Sequence, residues 1–231
     1  MEYTRELTKF CAGIQLEDLR PEVIQNTKLC LLDYAANVYG SLELQLVSGV
    51  IAYISSLGGA PQASVHGCGF KTNVQNAAFI NGTNAEALES QDGYRFGGSH
   101  PGVAVIPAAL AAAEEMGAGG RQVIPAIVAG YEMANRIARA THPLASMLGY
   151  LPTGTTGTFG AAMAVARLKG FDETASLNAV GNAGYLVPLS NAENLMSGHT
   201  IKIVQGGQAA SVGLLAVGLA GQGITGTPIA L

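Results

Sequence analysis

The chain has 231 residues, of which 48% are hydrophobic and 12% charged, with a formal net charge of −4; an average soluble domain carries about 25% charged residues. Intrinsic disorder needs low hydrophobicity and high net charge, so it is excluded, and so is a nucleic-acid binder, which presents a basic face. No unbroken apolar run reaches the roughly 18 residues of a membrane span: residues 103–113 stop at Glu114 and residues 212–221 at Gln222, so no membrane partner is expected. The polar, charged residues 1–6 do not read as a signal peptide. Cys11, Cys30 and Cys68 lie far apart with no C-x-x-C, as buried free thiols of a cytoplasmic protein would, and they predict neither disulfides nor a metal site. From Gly170 onward the only charged residues are Asp172, Glu173, Glu193 and Lys202, so this stretch must be buried in its own fold or under a partner.

Helical periodicity dominates the chain. Leu16 to Pro21 is a helix start with Pro21 in the first turn, and Val23, Ile24, Leu29, Leu31, Leu32, Ala35 and Val38 follow on a broad apolar surface that ends at Gly40-Ser41. A second helix covers residues 45–56, and residues 63–68 form a short extended piece. Residues 72–88 read as helical but loosened at Asn81-Gly82. The clearest helices are 101–116 and 121–141, separated by a Gly-rich turn at 117–120. Glu132 and Arg136 are spaced four apart, as an ion pair on the second of them requires. Further helices are predicted at 155–169, 173–185 and 205–221. Many of the 31 glycines fall inside these helices, where each costs roughly 1 kcal/mol relative to alanine. Close approach of helix backbones is the compensating gain, and it makes one tightly packed, Gly/Ala-rich all-α domain over residues 1–231 the expected fold.

In so apolar a chain, the polar residues that a surface cannot explain are the informative ones. Glu89, Asp92, Tyr94, Arg95 and His100 fall in one Gly-rich loop just before a helix. A histidine at a helix start beside acids suits general acid/base work, and an arginine suits bidentate grip of a carboxylate. The plainer alternative is a solvated loop with Ser99 or His100 capping the helix at Pro101. Lys202 stands alone among apolar neighbours, followed by a helix start at Gln205-Gly206-Gly207. It is either a snorkelling surface residue or a charge held for an anion that the helix N-terminus also attracts. Residues 149–157, rich in hydroxyls and glycine, either cradle an oxyanion or cap the next helix. No lysine follows these glycines and no strand precedes them, so neither a Walker A loop nor a dinucleotide fingerprint is present.

Together these segments resemble the MmgE/PrpD family. The residues that carry the resemblance are Asn76-Ala77-Ala78-Phe79-Ile80-Asn81-Gly82-Thr83 with Ala87-Leu88-Glu89 and Asp92; His100-Pro101-Gly102 with Ile106-Pro107-Ala108; Gly130-Tyr131-Glu132 with Arg136; Gly149 to Thr155; and Lys202 with Gly207, Ala209 and Ala210. The order of the blocks matches and they span essentially the whole chain. The resemblance implies an all-helical domain acting, without metal or other cofactor, on small di- or tricarboxylates, as 2-methylcitrate dehydratase, cis-aconitate decarboxylase and iminodisuccinate epimerase do. Three positions depart from the pattern: Glu86, Leu151 and Gln205 stand where the family has histidine. Leu151 argues most against decarboxylation. The family's aspartates can map to Glu89 or to Asp92. Family members are about twice as long and carry a lid domain, so this chain reads as the helical domain without its lid.

The expected chemistry is removal of a proton α to a carboxylate, which needs a positioned base and cations for the developing enediolate. His100 or Asp92 is the expected acid/base, with Lys202 and Tyr94 completing the catalytic set. Arg95, Thr153, Glu89 and Gln205 are the expected substrate contacts. A dehydratase-like lyase ranks ahead of an epimerase. The rival is a non-catalytic helical subunit, one half of a split enzyme or an oligomerising module, favoured by the apolar C-terminal stretch. Expected partners are a small polycarboxylate, a second copy of the chain in a homodimer or larger oligomer, and a separate lid-domain chain.

Overall fold

Small residues decide the architecture. The computed structural model describes residues 3–231, and its central helix, α8 (Pro152–Leu168), is buried along its whole length except at Thr155 and Arg167. Before it come α1 (Tyr3–Ala12), a 3₁₀ turn at Leu16–Asp18, α2 (Pro21–Ser41), α3 (Gln45–Ser56), α4 (Val74–Glu86), α5 (Gly102–Met116), α6 (Gly120–Thr141) and the one-turn α7 (Leu144–Met147). After it come α9 (Glu173–Leu186), the short α10 (Glu193–Met196), a 3₁₀ turn at Thr200–Val204 and α11 (Gln205–Gly221). Helix α8 packs on α5, α6, α9 and α11, and α11 packs in turn on α4. The expected all-α domain is present, with a two-stranded hairpin inserted, β1 (Ala63–Val65) and β2 (Phe70–Thr72), pairing Ala63 with Thr72 and Val65 with Phe70.

Local chemistry sets the ends of the elements. Pro21 opens α2 at its first turn, where its missing N–H costs nothing. Asn73 accepts from the Asn76 N–H at 2.9 Å to start α4, and Asp172 does the same for Ala175 at 2.8 Å to start α9. Gly117, at φ 67°, closes α5 in the left-handed conformation. The Glu132–Arg136 ion pair forms at 2.8 Å.

Four sequence expectations are revised. Helix α4 runs unbroken through Asn81-Gly82. There the Asn81 amide donates to Ser64 O and accepts from His66 N, both at 2.9 Å, fastening the hairpin to the helix. A Cβ on Gly82 would lie 2.7 Å from the Gly207 Cα, so this pair of glycines marks where α4 and α11 touch backbone to backbone. On α2 the broad apolar surface divides: Thr27, Tyr34, Asn37, Val38 and Ser41 are buried, whereas Leu29 and Leu32 are 51% and 65% exposed. Only Cys11 of the three free thiols is fully buried, while Cys30 and Cys68 are partly covered. Finally, Thr200–Gly221, taken as one segment, is long and apolar enough to cross a membrane at a mean hydropathy of 1.5. Lys202, Gln205 and Gln208 break its apolar run. Most of its apolar stretch is buried among the other helices, as a core helix is.

Candidate active site

The last turn of α4 brings a carboxylate into the core. Glu86 has no exposed surface. Its Oε1 accepts from Gln205 Nε2 at 2.6 Å and its Oε2 from the Gly206 N–H at 2.8 Å. Lys202 Nζ lies 3.1 Å from Oε1. Burial pushes the Glu86 carboxyl above the ordinary range, opposed first by Lys202 and then by the hydrogen bonds of Gln205 and Gly206. The Lys202 ammonium faces one oxygen and the Gly206 N–H the other, donors whatever the orientation of Gln205, so the ionised form is the one this geometry holds. Lys202 itself is 7% exposed, which rules out a snorkelling surface residue. Its second partner is Glu89, whose Oε2 it contacts and whose side chain is 48% exposed. Glu89 is the one non-glycine residue with positive φ (54°) among those described. The left-handed turn after α4 directs its carboxylate to Lys202 at a cost of order 1 kcal/mol.

The helix N-terminus at Gln205-Gly206 therefore already faces an anion, and that anion is Glu86. The expected pairing of Lys202 with a helix start is present, but its first tenant belongs to the chain.

A second group forms where the loop meets α5. Asp92 Oδ1 accepts from the Gly102 N–H at 3.1 Å and Oδ2 from the Tyr131 hydroxyl at 2.8 Å, so Asp92 caps α5, in place of Ser99 or His100. Its own N–H donates to Asp33 Oδ2 at 3.0 Å. Burial pushes the Asp92 carboxyl upward against the bonds from Tyr131 and Gly102. His100 Nδ1 lies 2.7 Å from the Asp92 carbonyl oxygen. A carbonyl only accepts, so Nδ1 carries the proton, and Nε2 of the neutral ring keeps its lone pair for a base's work. The His100 N–H donates to Thr153 Oγ1 at 3.0 Å, which fastens the loop to the buried first turn of α8.

Leu151, the residue before α8, lines a cavity of about 340 Å³ together with Ser190, Asn191, Asn194, Lys202 and Gln205, among others. The Leu151 N–H donates to Ser190 O and the Ala192 N–H to Gly149 O, both at 2.8 Å, so main-chain bonds frame its wall. Glu89, Lys202 and Gln205 are thus brought together around Glu86, while Asp92, His100 and Thr153 form the adjoining group. No side-chain hydrogen bond joins Tyr94 or Arg95 to either group. Tyr94 pairs its backbone with Ser99 and lines a different cavity, of about 810 Å³, beside Cys30, Tyr131, Arg136 and Arg139. Arg95 is exposed. Among the described residues no group of three or more His, Cys, Asp or Glu side chains is placed to hold a metal.

Two members of the site had no part in the expected chemistry. Glu86 was visible only as a departure from a family pattern, and a lone acid in a run of small helical residues is its local signal. Tyr131 stood only in a matching block, and its bond to Asp92 spans 39 residues, which no local pattern reports.

Residues 5–231 match the sequence profile described as the MmgE/PrpD N-terminal domain. The chain is 28% identical over 236 residues to the cis-aconitate decarboxylase-like protein oryM of Aspergillus oryzae, covering 96% of this chain and 48% of that protein. It is 26% identical over 222 residues to the cis-aconitate decarboxylase of Aspergillus terreus, covering 92% of this chain and 44% of that protein. The chain therefore spans about half the length of the curated relatives it matches.

Proposed function

The chain belongs to the MmgE/PrpD family, and from that premise we propose that it carries the proton-abstracting half of a lyase acting on a small di- or tricarboxylate, a 2-methylcitrate dehydratase-like hydro-lyase. The observation that carries this reading is Lys202, a buried ammonium at the wall of a cavity whose second counter-ion, Glu89, is half-exposed and exchangeable. A substrate carboxylate takes the place of Glu89 on the ammonium, while Glu86 stays. His100 Nε2 takes the α-proton, and Lys202 holds the charge that develops on the carboxylate as the enediolate forms. The imidazolium returns that proton to the β-hydroxyl, which leaves as water as the carbon–carbon double bond closes. Asp92 and Thr153 position His100 through their bonds to Nδ1 and to its N–H. Epimerisation shares the first step and differs in where the proton is returned. This route calls on no metal or other cofactor.

A second reading, decarboxylation, is favoured by the relatives named cis-aconitate decarboxylase. An apolar Leu151 at the cavity wall, where the family pattern has histidine, supports the hydro-lyase over it. The direct test follows 2-methylcitrate, cis-aconitate and iminodisuccinate by NMR with the purified chain. The expected result is loss of water from 2-methylcitrate, with kcat reduced about 10²–10⁴-fold in His100→Ala, the usual scale for a general acid or base. Carbon dioxide from cis-aconitate would replace this reading with the second. A folded, monodisperse chain that turns over none of the three would leave a non-catalytic helical subunit, or one that needs a separate lid-domain chain.

The same proposal takes the chain as a homodimer or larger oligomer in the cytosol. Outward-facing Leu29, Leu32, Met147, Tyr185 and Met196 support association, and unpaired thiols support a reducing compartment. Light scattering during size exclusion checks the first of these.

A further inference from the structure

The amide of Gln205 can be oriented without ambiguity. Its partner, Glu86 Oε1 at 2.6 Å, belongs to a carboxylate that the Lys202 ammonium and the Gly206 N–H hold ionised from either oxygen, so the Gln205 atom facing it is the N–H₂ and not the carbonyl. The carbonyl oxygen is therefore turned away from Glu86. It is buried without any hydrogen-bond partner, on a side chain that is 4% exposed and lines the 340 Å³ cavity. A buried acceptor left open in this way lowers stability until a donor meets it.

Beside it stands the cation. Lys202 Nζ and Gln205 Nε2 share the same oxygen of Glu86, so ammonium and amide are immediate neighbours at the cavity wall. The ammonium has three N–H donors, of which Glu86 and Glu89 take two, and Glu89 is the half-exposed partner. The wall thus presents a cation that calls for a carboxylate, and buried in the same side-chain pair is an open acceptor that calls for an O–H or N–H.

We propose that Gln205 is a specificity-determining residue. With Lys202 it selects a carboxylate that bears a hydroxyl, amine or imine donor close by, a hydroxy- or amino-polycarboxylate, over an unsaturated or unsubstituted polycarboxylate of the same charge. Glu86 sets this preference by fixing the direction of the amide. This inference rests on the proposed ligand class for the Lys202 cavity and narrows it: cis-aconitate, which carries no such donor, is disfavoured at this wall.

Matched ligands test it directly. Citrate and tricarballylate differ only in a hydroxyl, as do malate and succinate. Calorimetric titration of the purified chain is expected to give citrate at least about tenfold tighter binding than tricarballylate, with malate ahead of succinate in the same sense, since a site built around a hydroxyl strongly rejects the analogue that lacks it. In Gln205→Met, of similar length but without the acceptor, the ratio is expected to fall to within about twofold. Equal affinities within each pair for the wild-type chain would overturn the inference, because a water would then complete the amide regardless of ligand. So would a ratio that persists in a folded Gln205→Met, and so would failure of the wild-type chain to bind either member. The wild-type comparison decides the matter even where the variant does not fold. Discrimination without turnover would sink the proposed reaction for this chain acting alone and leave this inference standing; turnover without discrimination would do the reverse.

Discussion

Glu86 and Asp92 lie six positions apart and perform the same local task with different company. Each accepts from the first free N–H of a helix, Glu86 from Gly206 of α11 and Asp92 from Gly102 of α5. Burial pushes both carboxyls upward. Glu86 also has an ammonium and an amide on its oxygens, whereas the other partner of Asp92 is the neutral Tyr131 hydroxyl. A carboxylate with a buried cation is locked in one charge state by a partner that suffers if it leaves. One held by neutral donors can change its protonation at much smaller cost. The α4–α11 corner is therefore the fixed half of the site, and the loop before α5 is the adjustable half.

The strongest test of that contrast is removal of the fixed carboxylate. Glu86→Ala leaves Lys202 buried with only a half-exposed partner, and about 3 kcal/mol of stability should be lost, within the range for breaking a buried pair. A loss below about 1 kcal/mol in urea unfolding would erase the distinction between the two carboxylates. Gly207→Ala attacks the same half through its backbone, because the new Cβ would lie 2.1 Å from the Phe79 carbonyl oxygen and 2.5 Å from Thr83 Oγ1. Helix α11 must retreat from α4, taking Gly206 from Glu86, at about 2 kcal/mol by the same measurement. Tyr131→Phe acts on the adjustable half, removing the donor to Asp92 and the contact with Cys30, and should cost about 1.5 kcal/mol, the low end for a bond to a charged group. It should also leave the Asp92 carboxyl higher still, readable by carboxyl-carbon NMR.

The smallest effect lies in opposite pH slopes. A carboxyl raised in the fold favours the native state most at low pH, and that advantage fades as pH climbs through its folded value. The stability difference between wild type and Asp92→Asn should therefore shrink as pH rises from about 4. Glu114 behaves in reverse. Burial would raise it, but the Lys71 ion pair at 2.6 Å and two bonds from Ser64 prevail and bring it from 4.5 down to about 2. Its contribution is complete above 4.5 and is lost as pH falls toward 2, so wild type should exceed Glu114→Gln by about 1 kcal/mol at neutral pH and converge with it in acid, after allowance for solvent screening. Parallel slopes for the two variants would show that burial does not dominate at Asp92.

Much of the fold was legible because periodicity and punctuation are local. Pro21, Gly117 and the helices of residues 102–141 sit where the apolar spacing puts them. The second limb of the hairpin was missed because three-residue strands carry too few alternations to stand out. At the site, Lys202 and the loop from Glu89 to His100 stood out as polarity in apolar surroundings. Glu86 gave no comparable signal, since its partners lie 116 to 120 positions further along the chain. The split between the two cavities, with Tyr94 on one and Lys202 on the other, arises from how α6 and α11 are placed, which no window of sequence contains.

The wall of the Lys202 cavity leaves one more consequence. Between residues 149 and 192 it is held by bonds from one main chain to another, Leu151 to Ser190 and Ala192 to Gly149. Main-chain bonds do not depend on which side chains ride above them. Ser190 and Asn194 can therefore be exchanged without loss of these bonds, much as letters change within fixed type, whereas Asn191 also accepts from the Glu193 N–H through its side chain. Descendants of this chain have a direct route to new ligands in which Lys202 and Glu86 stay and the rim is rewritten.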